Sequence, residues 1–470
     1  MILAIDCGLS AVKVALSDLA GNVIAIERAP YPTHNGKLTG EQDPADWWRA
    51  LQAACSRLPR EARRQVSVIV PTGHMHALIA VDAQLHPLLP CLTLHDRRGD
   101  EDLRRIDADV VHAITGQIAD AALPLAKLLW LKRARPDVVG RVHAVLAPKD
   151  MLAGWLTGEP CTDPIDATGT GLFDHRRVEW SQTLIELSGL TPEQLPVVRP
   201  CTEVRGLLRE RPAFELGLPA GAAVLVGAGD DIELLGATAH RTDVAVEHVG
   251  TTGAILRAVA HGATTSRSSL ETYPTAEADV DALGASTTNC GSALGWARAV
   301  LGSDPIAALG SDPGDDDPII LPQLFAERTN HQIGGTIIGL DASHDATHLA
   351  RAFAVGVADL LAQCIAEIET GSSTLTGLVT SGGSGNPQWL RLRAAAYQRP
   401  IEALASDPTA LGCIALGLVA AGQAADPSTA ARMLRITRTI VEPDPALVEV
   451  LTRIAARRRT VLERMTPVVG

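Results

Sequence analysis

At 470 residues the chain exceeds what one compact core accommodates, and two or three domains are expected. A formal charge of −13 and an aromatic content of 3% leave neither a basic stripe to neutralise phosphates nor rings to stack on bases, so nucleic acid is not an expected partner. The eight cysteines are scattered without a CxxC pair, and the start MILAIDCGLS has neither a basic leader nor a long apolar run; reduced thiols in a cytoplasmic protein that does not cross a membrane are expected.

Short strands are expected over 2–5 and 12–17, either side of DCGLSA, and a third in GNVIAIERA after a Gly-Asn turn. This is a meander, not a strand-helix-strand unit. In EQDPADWWRALQAACSRLP, Asp43 is placed to cap and Pro44 to begin a helix over about 44–58. VSVIV (66–70) reads as the next strand, 124–157 as helical, and AAVLVG (222–227) as a buried strand ending at GAGDD. VAVEHVGTTGAILRAVA then repeats the opening pattern of strand, tight turn and strand. Gly8 superposes on Gly250, Ser10 on Thr252 and Val12 on Ala254, which indicates an internal duplication. The stretch 302–318, rich in Asp, Gly and Pro, reads as a surface loop. A long amphipathic helix follows, with positions 349, 353, 357, 360, 361, 364 and 365 on one apolar face. A strand ending in TSGGSGNPQW and a small-residue helix around TALGCIALGLVAAG complete the second half. The expected fold class is α/β, two domains of like design with a cleft between them, 1–240 and 241–470, dividing within 237–243.

The turns carry the chemistry. In DCGLSAVK the backbone at Gly8 can approach a phosphate, Ser10 can donate a hydroxyl, Lys13 brings positive charge and Asp6 can hold a hydrated Mg²⁺. GTTG at 250–253 offers a second such turn. Singly, each reads as well as a plain hairpin; in duplicated halves they favour a clamped nucleotide. TSGGSGNPQW is a third glycine-rich turn, where backbone can pass close to a planar ring or ribose, although Gly-Gly and Asn-Pro are generic loop signals. VLVGAGDDIELLG is open to three readings. One is the Gly-x-Gly turn of a dinucleotide fold with Glu247 as the ribose acid, weakened by Ile232 where a third glycine should stand. Another is a capping box with Asp230 as N-cap and Glu233 three residues on. The third makes one aspartate a catalytic base. His76 reads equally as a loop histidine, the DRR of 96–98 as a solvated charge cluster, and Lys127, Lys149 and Asp150 as helix-face ion pairs.

Eleven ordered segments, IDCGLSAVKV, EQDPADWW, GHMHALIAVD, LHDRR, LPLAKLLWLKR, VLAPKDMLAGWLTGE, TDPIDATGT, VGAGDD, VGTTG, LPQLFAERT and SGGSGNPQW, make the chain resemble the FGGY carbohydrate kinase family, and most of all its xylulokinase branch. The resemblance implies a duplicated actin-like, ribonuclease-H-like fold and ATP-dependent phosphorylation of a primary hydroxyl of a small sugar. D-xylulose, giving D-xylulose 5-phosphate, is the foremost acceptor, with another pentulose, a polyol or a sugar acid behind it. A non-catalytic, ATP-binding, sugar-responsive paralogue is the remote alternative. The resemblance further implies that Asp6, Gly8, Ser10 and Lys13 form the first phosphate site, with Mg²⁺ near Asp6, and that Gly250, Thr251 and Thr252 form the second. Gly382, Gly383, Ser384 and Asn386 would line the adenosine pocket; Met75, His76, Asp96 and Asp230, with Arg98 close by, would meet the sugar; and Asp230 would be the catalytic base. Sugar and ATP are the implied partners, and a homodimer is left open. Some positions depart from the family pattern. Leu9 and Ala11 replace a Thr and a Gly in the phosphate loop, His74 and Ala77 replace a Gln and a Gly around Met-His, His95 stands for Asn or Asp, and Val355 stands for an acid.

Overall fold

Val-, Ile- and Ala-rich runs build two sheets of the same design. In the computed structural model, which describes residues 1–31, 40–263, 269–325, 327, 334–370, 373–381 and 385–465, the chain forms two compact units. The first is Met1–His240 with Val259–Ala282 and Pro408–Arg435; the second is Arg241–Ala258 with Leu283–Asp407 and Ile436–Gly470.

The first sheet holds β1 (Ile2–Cys7), β2 (Ala11–Ser17), β3 (Val23–Pro30), β4 (Val68–Gly73), β5 (Val204–Leu207), β6 (Ala223–Leu225) and β7 (Ala228–Gly229), in the order β5-β6-β4-β1-β2-β3, with β7 also on β4. The meander β1-β2-β3 is antiparallel, whereas β4 runs parallel to β1, β6 and β7. Helix α1 (Pro44–Arg57) forms as its signals require: the Asp43 side chain accepts from the Ala45 amide and Pro44 opens the first turn. It buries Trp47, Leu51 and Cys55 in the core on this sheet.

The second sheet holds β8 (Val244–Val249), β9 (Gly253–Ala260), β10 (Glu271–Pro274), β11 (Val280–Thr287), β12 (Gly377–Ser381), β13 (Ile401–Leu404) and β14 (Arg438–Val441), in the order β10-β11-β9-β8-β12-β13-β14. Matching β11-β9-β8-β12-β13-β14 to β3-β2-β1-β4-β6-β5 reproduces the order and, for each printed pair, the direction. The fold is thus the duplicated actin-like α/β arrangement. The turns differ by one residue. Cys7 faces Val12 across four turn residues, but Val249 faces Gly253 across three, so the superposition of Val12 on Ala254 slips by one.

Several sequence expectations change. Residues 124–157 are not continuously helical. Helix α2 (Pro124–Ala134) ends before Pro136, a strand Ala144–Leu146 pairs antiparallel with Ile79–Val81, and α3 (Pro148–Thr157) restarts at a proline. Proline suits a first turn but not a helix interior, and the short apolar stretch Ala144-Val145-Leu146 before Pro148 takes the sheet partner on offer. The strand expected over 222–227 breaks at Gly227, whose φ is +77°, and resumes as β7; a Cβ at Gly227 would stand 1.9 Å from the Pro71 carbonyl oxygen, so only glycine fits. Asp230 is not an N-cap, nor is Asp231 the first residue of an α-helix: both lie in a 3-10 turn, Asp230–Ile232, that follows β7 and leads into the helix Glu233–Thr238, while Gly229 of β7 packs against Ile165 of α4 (Pro164–Gly169). The stretch 302–318 contains a 3-10 turn, Ala307–Gly310, and buries Asp317 in a pair with Arg351.

That helix, α5 (Glu233–Thr238), is followed by α6 (Gly291–Leu301), α7 (Ala346–Glu369), α8 (Pro387–Tyr397) and α9 (Pro408–Ala420). Helix α7 is long and apolar enough to cross a membrane, but most of its apolar stretch is buried, packed against α6 and α8 as a core helix. Helix α9 lies on β1 and β4 in the first unit, and all eight cysteines are free and buried.

Candidate active site

In the first unit the parallel strands deliver the candidate residues to one end of the sheet. Asp6, Thr72 and Ala228 share one row across β1, β4 and β7, and Cys7, Gly73 and Gly229 share the next. The chain leaves that row as the Gly8–Ser10 turn, as His74-Met75-His76 and as Asp230. Crevices beyond the carboxyl ends of parallel strands are where open α/β sheets bind ligands.

The first turn is held from behind. The Tyr31 hydroxyl donates to the Gly8 carbonyl at 2.9 Å, Gln42 Nε2 to the Leu9 carbonyl at 2.7 Å, and the Tyr31 amide to the Ser10 carbonyl at 3.1 Å. Trp47 Nε1 in turn donates to Gln42 Oε1 at 3.1 Å. All three turn carbonyls are engaged on the protein side, which removes the lone pairs that would repel an anion. Ser10 is exposed and its hydroxyl accepts from Arg28 at 3.2 Å, while Lys13 Nζ sits 2.9 Å from Asp6 Oδ2. The proposed cation and carboxylate of this site are therefore paired with each other. Neither Tyr31 nor Gln42 stood out in the sequence, although Gln42 directly precedes the Asp43 cap.

Met75 is buried and wedged beside the Asp230 turn: a Cβ at Gly229 would stand 2.7 Å from its Sδ, and one at Gly169 2.8 Å from its Cε. His76 is half-buried, with φ 59°; its carbonyl accepts from Lys127 Nζ at 3.2 Å and its Nε2 lies 3.1 Å from the Tyr273 hydroxyl. Asp96 is buried, and its carboxylate accepts the Arg98 amide at 3.0 Å and the Arg98 Nε at 2.8 Å. Arg98 also bonds Glu41 at 2.8 Å and stacks on Trp130 with its guanidinium 4.3 Å from the ring centre. The hydrogen bond that Arg98 donates to Asp96 raises the Arg98 pKa. Asp96 and Arg98 thus form one rigid charge pair rather than a solvated cluster.

His74 is fully enclosed. Its Nδ1 lies 2.9 Å from the Cys7 carbonyl, which can only accept, so Nδ1 carries the proton; burial pushes its pKa down to about 4. His74 props the chain just before the Gly8–Ser10 turn. His95 is half-buried, its pKa lowered by burial and by Lys127 and Arg97, and its Nε2 is a buried atom with no hydrogen-bond partner among the described residues.

Lys149 and Asp150 do pair, but buried rather than on an open helix face, and the bonds of Lys127 are to backbone carbonyls. Lys127 is fully buried and donates to the carbonyls of His76, Ala121 and Ala122, and burial brings its pKa down to about 8. Lys149 Nζ is buried among Asp150 at 2.5 Å, Asp163 at 2.8 Å and Asp166 at 3.2 Å. Burial alone would lower the Lys149 pKa, but the three carboxylates outweigh it and raise it. Burial drives the Asp166 pKa up, against the pull of Lys149, and Asp163, Asp150 and Asp230 add to the rise. The cluster therefore lies within electrostatic reach of Asp230. The half-buried Asp230 is itself placed by Gly229, whose strand pairs with Gly73.

In the second unit the turn after β8 repeats the first device. The Gly291 amide donates to the Gly250 carbonyl at 2.9 Å, the Ser292 amide to Thr251 at 2.9 Å and the Gly250 amide to Thr252 at 3.0 Å. Thr251 and Thr252 are exposed. Asn386 caps α8, its Oδ1 accepting from the Gln388 and Trp389 amides at 3.0 and 3.2 Å. Gly382, Gly383 and Ser384 lie outside the described residues. Glu247, the acid of the dinucleotide alternative, is buried and bonded by Arg393 and by the Tyr397 hydroxyl, so it does not reach out to a ribose.

Two actin-like sheets, each with a hairpin turn whose carbonyls are tied down, define a duplicated α/β protein. The N-terminal domain of the FGGY family of carbohydrate kinases matches residues 1–235 and its C-terminal domain residues 244–421. The chain is 30% identical over 418 residues to the xylulose kinase of Escherichia coli (strain K12), which covers 84% of each. It is 25% identical over 450 residues to the gluconokinase of Bacillus subtilis (strain 168), covering 90% of this chain and 88% of that one. A crystal structure of a xyloylose kinase from Brucella ovis superposes with a TM-score of 0.89 at 29% identity over 99% of both chains. The chain belongs to the FGGY family of carbohydrate kinases and is a sugar phosphotransferase.

Proposed function

We propose that the chain transfers the γ-phosphoryl group of ATP to a primary hydroxyl of an open-chain ketose, with D-xylulose the foremost acceptor. The observation that carries this reading is the pair of matched turns, Gly8–Ser10 and Gly250–Thr252, whose carbonyls are all engaged within their own units. A polyphosphate is held by amide and hydroxyl donors, and each turn has its carbonyl acceptors already engaged within the protein. The side chains of Ser10, Lys13, Thr251 and Thr252 would add to this hold, and the residues Gly382, Gly383, Ser384 and Asn386 would flank the adenosine. Asp6 is the carboxylate that would meet a hydrated Mg²⁺, through its second oxygen or by releasing Lys13, which pairs with its Oδ2. When bound, the ion would neutralise charge on the phosphates.

Met75, His76 and the Asp96–Arg98 pair would hold the sugar, and Asp230 would orient its hydroxyl and take the proton. Phosphoryl transfer passes through a loose transition state, so a weak carboxylate base that accepts the proton late is sufficient. Residues 1–240 would accordingly supply the sugar site, the first phosphate turn and the base, and residues 241–470 the second turn and the adenosine pocket. The xylulose kinase relatives support the ketopentose. A second acceptor class, a sugar acid, is favoured by the His95 Nε2, which has no hydrogen-bond partner among the described residues, and by the positive charge that Lys127 and Arg97 place around it. A coupled assay of ADP release against ketopentoses, polyols and sugar acids tests both readings. Release with xylulose above all others is expected, a sugar acid in first place selects the second reading, and no release with any of them sinks both.

A further inference from the structure

His76 stands in the left-handed region, φ 59°, which a residue with a Cβ occupies only when its surroundings hold it there. Lys127 secures the backbone, through the His76 carbonyl at 3.2 Å. The ring is secured from elsewhere. Tyr273, on β10, brings its hydroxyl to 3.1 Å from His76 Nε2, and the two rings meet edge to face with centroids 6.4 Å apart and planes at 81°. Tyr273 is 4% exposed, so its hydroxyl is committed to the protein interior.

The strand that carries Tyr273 is itself clamped beside it. The Thr272 amide donates to the Gly116 carbonyl at 2.9 Å, and the buried Gln117 side chain donates Nε2 to the Thr272 carbonyl at 3.0 Å. Gly116 has φ +69°, and a Cβ there would stand 3.0 Å from the Thr272 carbonyl oxygen. Two directed bonds and a glycine with no room for a side chain therefore set the height of Tyr273 against His76.

We propose that Tyr273 is a positioning residue of the sugar site: its hydroxyl fixes the rotation of the His76 ring and so the direction in which the imidazole meets a sugar hydroxyl. This rests on the reading of His76 as a sugar ligand. A phenol both donates and accepts, so the contact survives with either neutral tautomer of the histidine. Phenylalanine would keep the buried ring and its edge-to-face contact and remove only the directed bond.

Tyr273→Phe, measured in the full chain, is expected to raise the KM for sugar about five- to tenfold, the equivalent of one hydrogen bond. The KM for ATP should stay within about twofold and kcat should fall less than the sugar KM rises. On a His76→Ala background the same substitution should add nothing, because the group it positions is gone. Equal effects in both backgrounds, or an unchanged sugar KM in a wild type that turns sugar over, would overturn the proposal. The ring-nitrogen NMR signals of His76 provide a readout independent of turnover, and Tyr273→Phe is expected to shift them without sugar present. Unmoved signals overturn the positioning role, whereas a wild type inactive on every sugar overturns only the kinase-substrate reading. Tyr273→His, which restores a polar group at the ring edge, is expected to recover part of the lost sugar affinity.

Discussion

Burial keeps the His74 imidazole neutral, with a pKa of about 4 against 6.5 in an open chain. The folded state therefore resists protonation that the unfolded state accepts. The stabilisation is complete above pH 6.5 and drains away as the pH falls from there to about 4, by at most about 3 kcal/mol. His74→Gln keeps a neutral polar side chain and should flatten the pH dependence of urea unfolding within that window. Asp230 and Asp231 make an asymmetric pair. Asp230 directly follows the Gly229 that Met75 and β4 hold in place, so Asp230→Asn should cut turnover by about two to four orders of magnitude with little change in ATP binding. Asp231→Asn should cost less than tenfold; equal losses in steady-state kcat would show the base to be misassigned. At this scale the sequence motifs named the residues but not their company. Lys127 read as well as a helix-face ion-pairing residue as a functional one, and only the fold shows it buried under the His76 carbonyl. Tyr31, Gln42 and Tyr273 meet the site from separate elements, a proximity that no local spacing records.

Between elements, close backbone approach carries much of the specificity. A Cβ at Gly236 would stand 1.9 Å from the Pro408 carbonyl oxygen, and one at Gly412 2.3 Å from that of Ile232. Helices α5 and α9 thus touch backbone to backbone, and Gly236→Ala or Gly412→Ala should destabilise the first unit by about 1–3 kcal/mol or more, read as a drop in thermal midpoint. The buried charges between α3 and α4 are another such joint. Lys149→Met would leave Asp150, Asp163 and Asp166 without their nearest cation, a loss of about 3–5 kcal/mol that should appear in urea melts. Most elements were legible from their own signals: α1 from Asp43 and Pro44, the two hairpins from their repeat, α7 from its apolar face. The strand inside 124–157 was not, because three residues between two helices carry too little periodicity to announce themselves. The break at Gly227 was hidden for another reason: what forbids a side chain there is Pro71, more than 150 residues away in sequence.

For the whole molecule, the duplication was visible in two turns and proved to extend through six strands of each sheet. Its one-residue slip is where copies of one design have diverged, and it falls in the turn that the proposed function gives to the nucleotide. The first unit is also not one stretch of chain. Its sheet is covered by α9, and a Cβ at Gly417 would stand 2.5 Å from Ile2 Cγ2. Expressed alone, residues 1–240 should therefore be poorly soluble, and co-expression of 408–435 should recover part of the loss.

The same arrangement bears on synthesis. At roughly 5–20 residues per second, the ribosome needs about 9–36 s to pass from residue 240 to residue 420. Throughout that interval the N-terminal strands are present while the helix that shields them is still being made, so the nascent chain carries a sticky apolar surface until residue 420 has emerged.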